Sequence, residues 1–135
     1  MKIRLLLFII GFFLTASFSF VDASPLNEFA KLHTSLELKK ELTQIVRQSI
    51  EKAYDRPSSL IKADRFFDRS WAIFITAKHG QETRGCMGSL FPKSAKLTQE
   101  IALQLKKAFF EDLRHRPIRW EEVPTLEIYV TAVGQ

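Results

Sequence analysis

Trp71-Ala72-Ile73-Phe74-Ile75-Thr76, then Lys78-His79-Gly80-Gln81, then Glu82 through Leu90, is the stretch on which the fold turns. The first run is rich in β-forming residues and apolar on both faces, as in a strand covered on both sides or covered by a helix on one. Gly80 stands where a tight turn calls for positive φ, and Glu82 to Leu90 returns as a second strand. Phe91-Pro92 ends it, so the centre of the chain reads as a β-hairpin.

Upstream, Ser24 to Thr34, with Pro25 and Asn27, reads as an approach to the domain. Thr34 and Glu37 fit a capping box, the Thr as N-cap and the Glu reaching back. Leu38, Leu42, Ile45, Ser49 and Tyr54 recur at helical spacing, with Glu41, Arg47 and Lys52 on the opposite side. An amphipathic helix is therefore expected from about Leu36 to Tyr54, ended by Arg56-Pro57. Leu60 to Ser70 is mixed and reads as a loop. Downstream, Leu97, Ile101, Leu105, Ala108 and Phe109 describe a second amphipathic helix from about Lys96 to Phe110. A polar bend with Pro117 and Pro124 follows. Leu126, Ile128, Val130 and Ala132 then alternate with Glu127, Tyr129 and Thr131, as in a half-buried strand. The fold class that satisfies this order is α+β, a mainly antiparallel sheet with two amphipathic helices packed against it.

The N-terminus has a different character. Lys2 and Arg4 precede an apolar run from Leu5 to Leu14, and Val21 and Ala23 stand where a signal peptidase requires small side chains. Residues 1–23 read as a cleavable signal peptide, and the mature protein as residues 24–135, secreted or periplasmic. Ten apolar residues span about 15 Å as a helix, against a hydrocarbon core of about 30 Å, which disfavours a membrane anchor. No cysteine follows the apolar run, so a lipoprotein is excluded. The net charge of +5 is spread along the chain without a Lys/Arg block. That pattern, with export, argues against a nucleic-acid partner.

Chemistry centres on Arg84-Gly85-Cys86-Met87-Gly88, which holds the sole cysteine of the chain. One cysteine forms no internal disulfide, and His33, His79 and His115 follow no metal-ligand spacing, so neither a metal nor a cofactor is expected. Simple strand alternation places Arg84, Cys86 and Gly88 on one face. A guanidinium near a thiol favours the nucleophilic thiolate. Two glycines in a strand call for a close approach, by a ligand or another backbone, or for a bulge. The opposing reading makes Cys86 a small core residue and the glycines an aid to twist.

The run Arg84-Gly85-Cys86-Met87-Gly88-Ser89-Leu90 resembles the Leu-Arg-Gly-Cys-Ile-Gly signature of the AMMECR domain family. Trp71 to Thr76 resembles the preceding aromatic-Val-Thr strand of that family. Phe109-Phe110-Glu111-Asp112-Leu113-Arg114 with Pro117 is similar to its Ala-Phe-x-Asp-x-Arg-Phe-x-Pro stretch. Glu121-Glu122-Val123-Pro124-Thr125-Leu126-Glu127-Ile128 is similar to its Glu-Glu-Leu-Pro-x-Leu-Glu-Ile strand entry. The resemblance covers roughly residues 36 to 135. It implies an α+β domain with Arg84, Gly85, Cys86 and Gly88 at a site, and association with a Memo-like protein and a radical-SAM protein. It also implies a domain that continues beyond the Leu126 strand, so residues 24–135 read as a C-terminally shortened version. Thr83 and His115 depart from the family pattern, which has an apolar residue and a Phe there. Family members are usually cytosolic, whereas this chain carries an export signal.

Two functions follow. In a binding module, the Arg-Gly-Cys-x-Gly surface, with Gly85, Gly88, Asp112 and Arg114, would hold a small anionic ligand or a partner. In an enzyme, Cys86 would be the nucleophile and Arg84 its activator, with His115 or Asp112 as acid/base partner. Spacing reveals no activated base, which favours binding. A strand left at an open edge would add self-association.

Overall fold

In a computed structural model of the protein, residues 1–8, 30–32, 34–59 and 62–133 are described. The remainder of the apolar run, the cleavage region, the start of the approach segment and His33 lie outside them. Along the chain come β1 (Lys2–Phe8), α1 (Leu36–Ala53), β2 (Ile73–His79), β3 (Glu82–Gly88), α2 (Leu97–Phe110) and β4 (Glu127–Val133). Two 3-10 turns, Arg65–Asp68 and Trp120–Thr125, interrupt segments that read as loops.

The central hairpin closes through Gly80 and Gln81, with His79 paired to Glu82. Gly80 has φ +58°, the value required of the first central residue of a type II′ turn. In β2 only one set of alternate residues, Ile73, Ile75 and Ala77, is fully buried; Phe74 and Thr76 are half-buried.

Helix α1 starts one residue later than the capping-box reading implied. Residues 30–32 and 34 are already helical, and the backbone breaks at Ser35, with φ −90° and ψ 115°. The Ser35 hydroxyl therefore accepts the Leu38 N–H at 3.3 Å, while the Thr34 hydroxyl donates back to the Lys31 carbonyl at 3.2 Å. An N-cap accepts from the second or third amide of the helix that follows, and Thr34 belongs to the preceding turn.

The sheet has the strand order β1-β4-β2-β3. The pairs β2–β3 and β2–β4 are antiparallel, as expected. The pair β1–β4 is parallel, so the sheet is mixed rather than purely antiparallel. Ile73, Ile75 and Ala77 of β2 and Ile128, Val130 and Ala132 of β4 face the helices. There they meet Leu42, Ile45, Val46 and Ile50 of α1 and Ile101, Leu105, Ala108 and Phe109 of α2. Each large aliphatic or aromatic side chain so buried contributes about 1.5–3 kcal/mol. Both helices lie on this face. The opposite one carries Phe74, Thr76, Lys78, Tyr129 and Thr131, all half-buried.

Candidate functional site

Strand β3 is an outer strand of the sheet, and its backbone is shaped by α2. A Cβ on Gly85 would lie 2.0 Å from the Ala108 carbonyl oxygen, so only glycine lets the helix approach this closely. A Cβ on Gly88 would meet the Phe74 ring at 2.3 Å. Of the reasons a strand glycine can have, this pair shows close packing by the protein itself. The approach of α2 at Gly85 also decides where its C-terminal end falls. Four residues after Ala108, Asp112 reaches Cys86.

Opposite Cys86 on β2 is Thr76, and the hydroxyl lies 3.1 Å from Sγ. An antiparallel strand turns the N–H and C=O of one residue to the same side. At Cys86 that side is the outer edge. Its N–H donates to Asp112 Oδ2 at 2.9 Å, and its carbonyl accepts from Arg114 Nη2 at 3.0 Å. Two side chains thus take the place of a neighbouring strand. They also grip each other: Arg114 Nε donates to Asp112 Oδ1 at 2.9 Å and Nη2 to Oδ2 at 2.9 Å, and the Arg114 N–H reaches Oδ1 at 3.2 Å.

The electrostatics follow from this geometry. The Asp112 side chain is 4% exposed and the Arg114 side chain 68%. Hydrogen bonds from the Arg114 guanidinium, helped by the amides of Cys86 and Arg114, hold the Asp112 carboxyl well below the usual carboxylate range, against the opposing effect of burial. The same carboxylate pushes the Arg114 guanidinium up. Leu113, between the two, is fully exposed. Just beyond β3, Leu90 and Phe91 are 58% and 66% exposed.

The residues expected at the site therefore divide. Cys86, Asp112 and Arg114 are brought into direct contact. Arg84 is not in that cluster: Thr83 pairs with Lys78 and Gly85 with Ala77, so Arg84 is the extra residue of a β-bulge. The bulge breaks the simple alternation that would have put Arg84 on the Cys86 face. Its Nε and Nη2 both reach Glu122 Oε2, at 3.2 and 2.9 Å. Glu122 is held below its ordinary carboxylate value first by the Arg119 amide and then by Arg84. Glu122 and Thr76 were not singled out from the sequence. His115 is tied to this corner through its backbone N–H, which donates to the Asp112 carbonyl at 3.0 Å. Cys86 is a free, half-buried cysteine.

The family model that matches the chain is AMMECR1, over residues 43–135. The chain belongs to the AMMECR1 family. The matched span contains the hairpin, α2, the Asp112–Arg114 clamp and β4. Among curated proteins nothing matches. A solved structure, the uncharacterised protein PH0010 from Pyrococcus horikoshii, is 17% identical with a TM-score of 0.57. The superposition covers 68% of this chain and 48% of that one, so the AMMECR1-family chain described here spans about half the length of its solved neighbour. At that identity the likeness is one of fold.

Proposed function

We propose that this AMMECR1-family protein is exported, and that the β3 edge around Cys86, Asp112 and Arg114 is a partner-binding surface rather than a catalytic centre. The observation that carries the reading is the double closure of the Cys86 backbone by Asp112 and Arg114. This is a rigid platform. It presents a half-buried thiol, an exposed guanidinium and exposed apolar side chains at Leu113, Leu90 and Phe91. Apolar side chains ringed by charge are typical of protein contacts.

Features that an enzyme would need favour it less. The guanidinium of Arg84 is committed to Glu122, and the Thr76 hydroxyl that lies 3.1 Å from Sγ is a poor base at neutral pH. A small anionic ligand could meet Arg114, yet that guanidinium already has a carboxylate partner. The family association with a Memo-like protein and a radical-SAM protein would apply here only if the partners share the compartment. Export rests on Lys2, Arg4 and the Leu5–Leu14 run, with the small residues at Val21 and Ala23. Among the described residues no helix is long and apolar enough to cross a membrane.

A photo-crosslinking amino acid placed at Leu113 or Phe91 tests the binding surface in cells producing the protein. One discrete adduct from both positions, absent when the probe replaces Lys40 on α1, is the expected result. The same adducts from all three positions, or none from Leu113 and Phe91, would defeat the reading.

A further inference from the structure

The flank of β4 covered by the outer strand β1 carries a second recognition feature. Along β4, every residue from Glu127 to Val133 has a partner in β1, in parallel register from Lys2 to Phe8. The pairing is anchored at its start, where the Met1 amino group donates to the Pro124 carbonyl at 3.0 Å and the Lys2 N–H to the Leu126 carbonyl at 3.1 Å. Beyond the backbone, the edge reads side chains. Arg4 Nε lies 3.3 Å from Glu127 Oε2, and its guanidinium stands 5.9 Å from the centre of the Tyr129 ring. The Tyr129 hydroxyl donates to the same Glu127 oxygen at 2.8 Å, so carboxylate and ring form one receptor for a cation. Ile3 and Leu5, flanking Arg4, pack against the core. A groove of about 380 Å³ lies beside them, bordered by Lys39, Leu42 and Thr43 of α1 and by Arg4 and Tyr129.

We infer that the outer edge of β4 is a docking site for a parallel, extended protein segment of the pattern aliphatic–basic–aliphatic. β1 is its occupant within the full-length chain. The same residues, Lys2 to Phe8, form the start of the signal peptide, and they have one fate or the other. Removal of residues 1–23 strips β4 of its neighbour and leaves an open ladder edge along Glu127–Val133, the Glu127–Tyr129 cation receptor and the α1 wall formed by Lys39, Leu42 and Thr43. A partner protein's segment of matching pattern then adds as the missing strand, in the manner of β-augmentation. This last step rests on the export reading; the docking site itself does not.

The probe is a labelled peptide with the sequence of residues 1–8. It is titrated against the full chain and against the full chain carrying Arg4→Glu and Leu5→Asp, which cannot hold its own strand. Saturable binding to the variant and not to the unmodified chain is expected. A peptide with Glu in place of the Arg should bind about fivefold more weakly, and Glu127→Lys in the protein should reverse that preference. Absence of saturable binding, or binding indifferent to these charges, overturns the inference. Cooperative unfolding of the variant is checked alongside. A second measurement needs no binding: Lys2→Cys with Glu127→Cys, in a Cys86→Ser background, joins Cα partners at strand spacing of about 4.8 Å, within disulfide reach. Failure to cross-link under mild oxidation would show that β1 is not docked, and the inference falls. N-terminal sequencing separately reads export. An intact Met1 on the envelope form removes the processing step while leaving the peptide result standing.

Discussion

The two flanks of the β4-β2-β3 part of this sheet are closed by different means. At β3, two side chains of one short segment, Asp112 and Arg114, cover the outward N–H and C=O of Cys86. At β4, a whole strand does the covering, and that strand comes from residues that also read as an export signal. The first closure belongs to the span that matches the family model; the strand that makes the second, β1, lies outside it. An open edge is a template for association, and proteins block it or use it. Here the β3 edge is blocked at Cys86, so in the proposed binding surface that side would offer side chains rather than backbone. The β4 edge is filled by β1, and on the export reading it would offer backbone once residues 1–23 are removed.

The comparison breaks most readily at Gly85. Alanine there would place a Cβ against a helix carbonyl oxygen, forcing α2 off β3. Gly85→Ala should cost about 3 kcal/mol, read as a lowered urea midpoint. The loss should be accompanied by faster exchange of the Cys86 amide, since Asp112 moves with α2.

Removing the clamp directly should cost less. Asp112→Ala leaves the Cys86 amide and the Arg114 guanidinium without their acceptor, and about 2 kcal/mol is expected, because Arg114 regains water. The pH dependence has a definite sign. The folded carboxyl is depressed, so its contribution is complete above the unfolded value of about 4 and drains away as pH falls towards the folded value. The stability gap between wild type and Asp112→Asn should therefore narrow below about pH 4.

At the other edge, Arg4→Glu should change global stability by about 1 kcal/mol or less, as expected of an exposed pair. Its signature is local instead: β4 amides should exchange faster while those of β3 do not. Equal loss of protection at both edges would erase the contrast between them.

A reference that takes no part in closing either edge sharpens the scale. The Tyr54 hydroxyl donates to the Ile118 carbonyl at 2.6 Å, amid Phe110 and Trp120. Burial, then the charges of Glu122 and Glu121, push this phenol up to about 12. Its neutral form is favoured in the fold, so the contribution is intact below about pH 10 and is lost between there and about 12. Tyr54→Phe should cost about 1 kcal/mol at neutral pH and flatten this alkaline limb, measured by urea titration at several pH values.

The hairpin, both helices and β4 were legible in the sequence because their apolar residues keep the period of the element that buries them. Strand β1 was not. A positively charged start followed by an apolar run satisfies a leader and a sheet edge equally well, and composition does not choose between them. The bulge at Arg84 leaves no mark in composition either, since one extra residue shifts the face without altering the residues around it. Cys86, Asp112 and Arg114 were legible as members of a family-like pattern, but their contact was not, because it joins positions 26 and 28 apart through the packing of α2. The Arg84–Glu122 pair spans 38 positions and required the 3-10 turn at Trp120–Thr125, too short to show a period.

Hydrogen exchange on the full-length chain and on a chain processed to begin at Ser24 tests the account of the two edges most directly. Protection of the Cys86 amide in both forms, with the β4 amides that face β1 protected only in the full-length form at dilute concentration, is the predicted result. A Cys86 amide exchanging as fast as the Gly80 turn, or β1-facing amides of β4 equally protected in the dilute processed monomer, would contradict it.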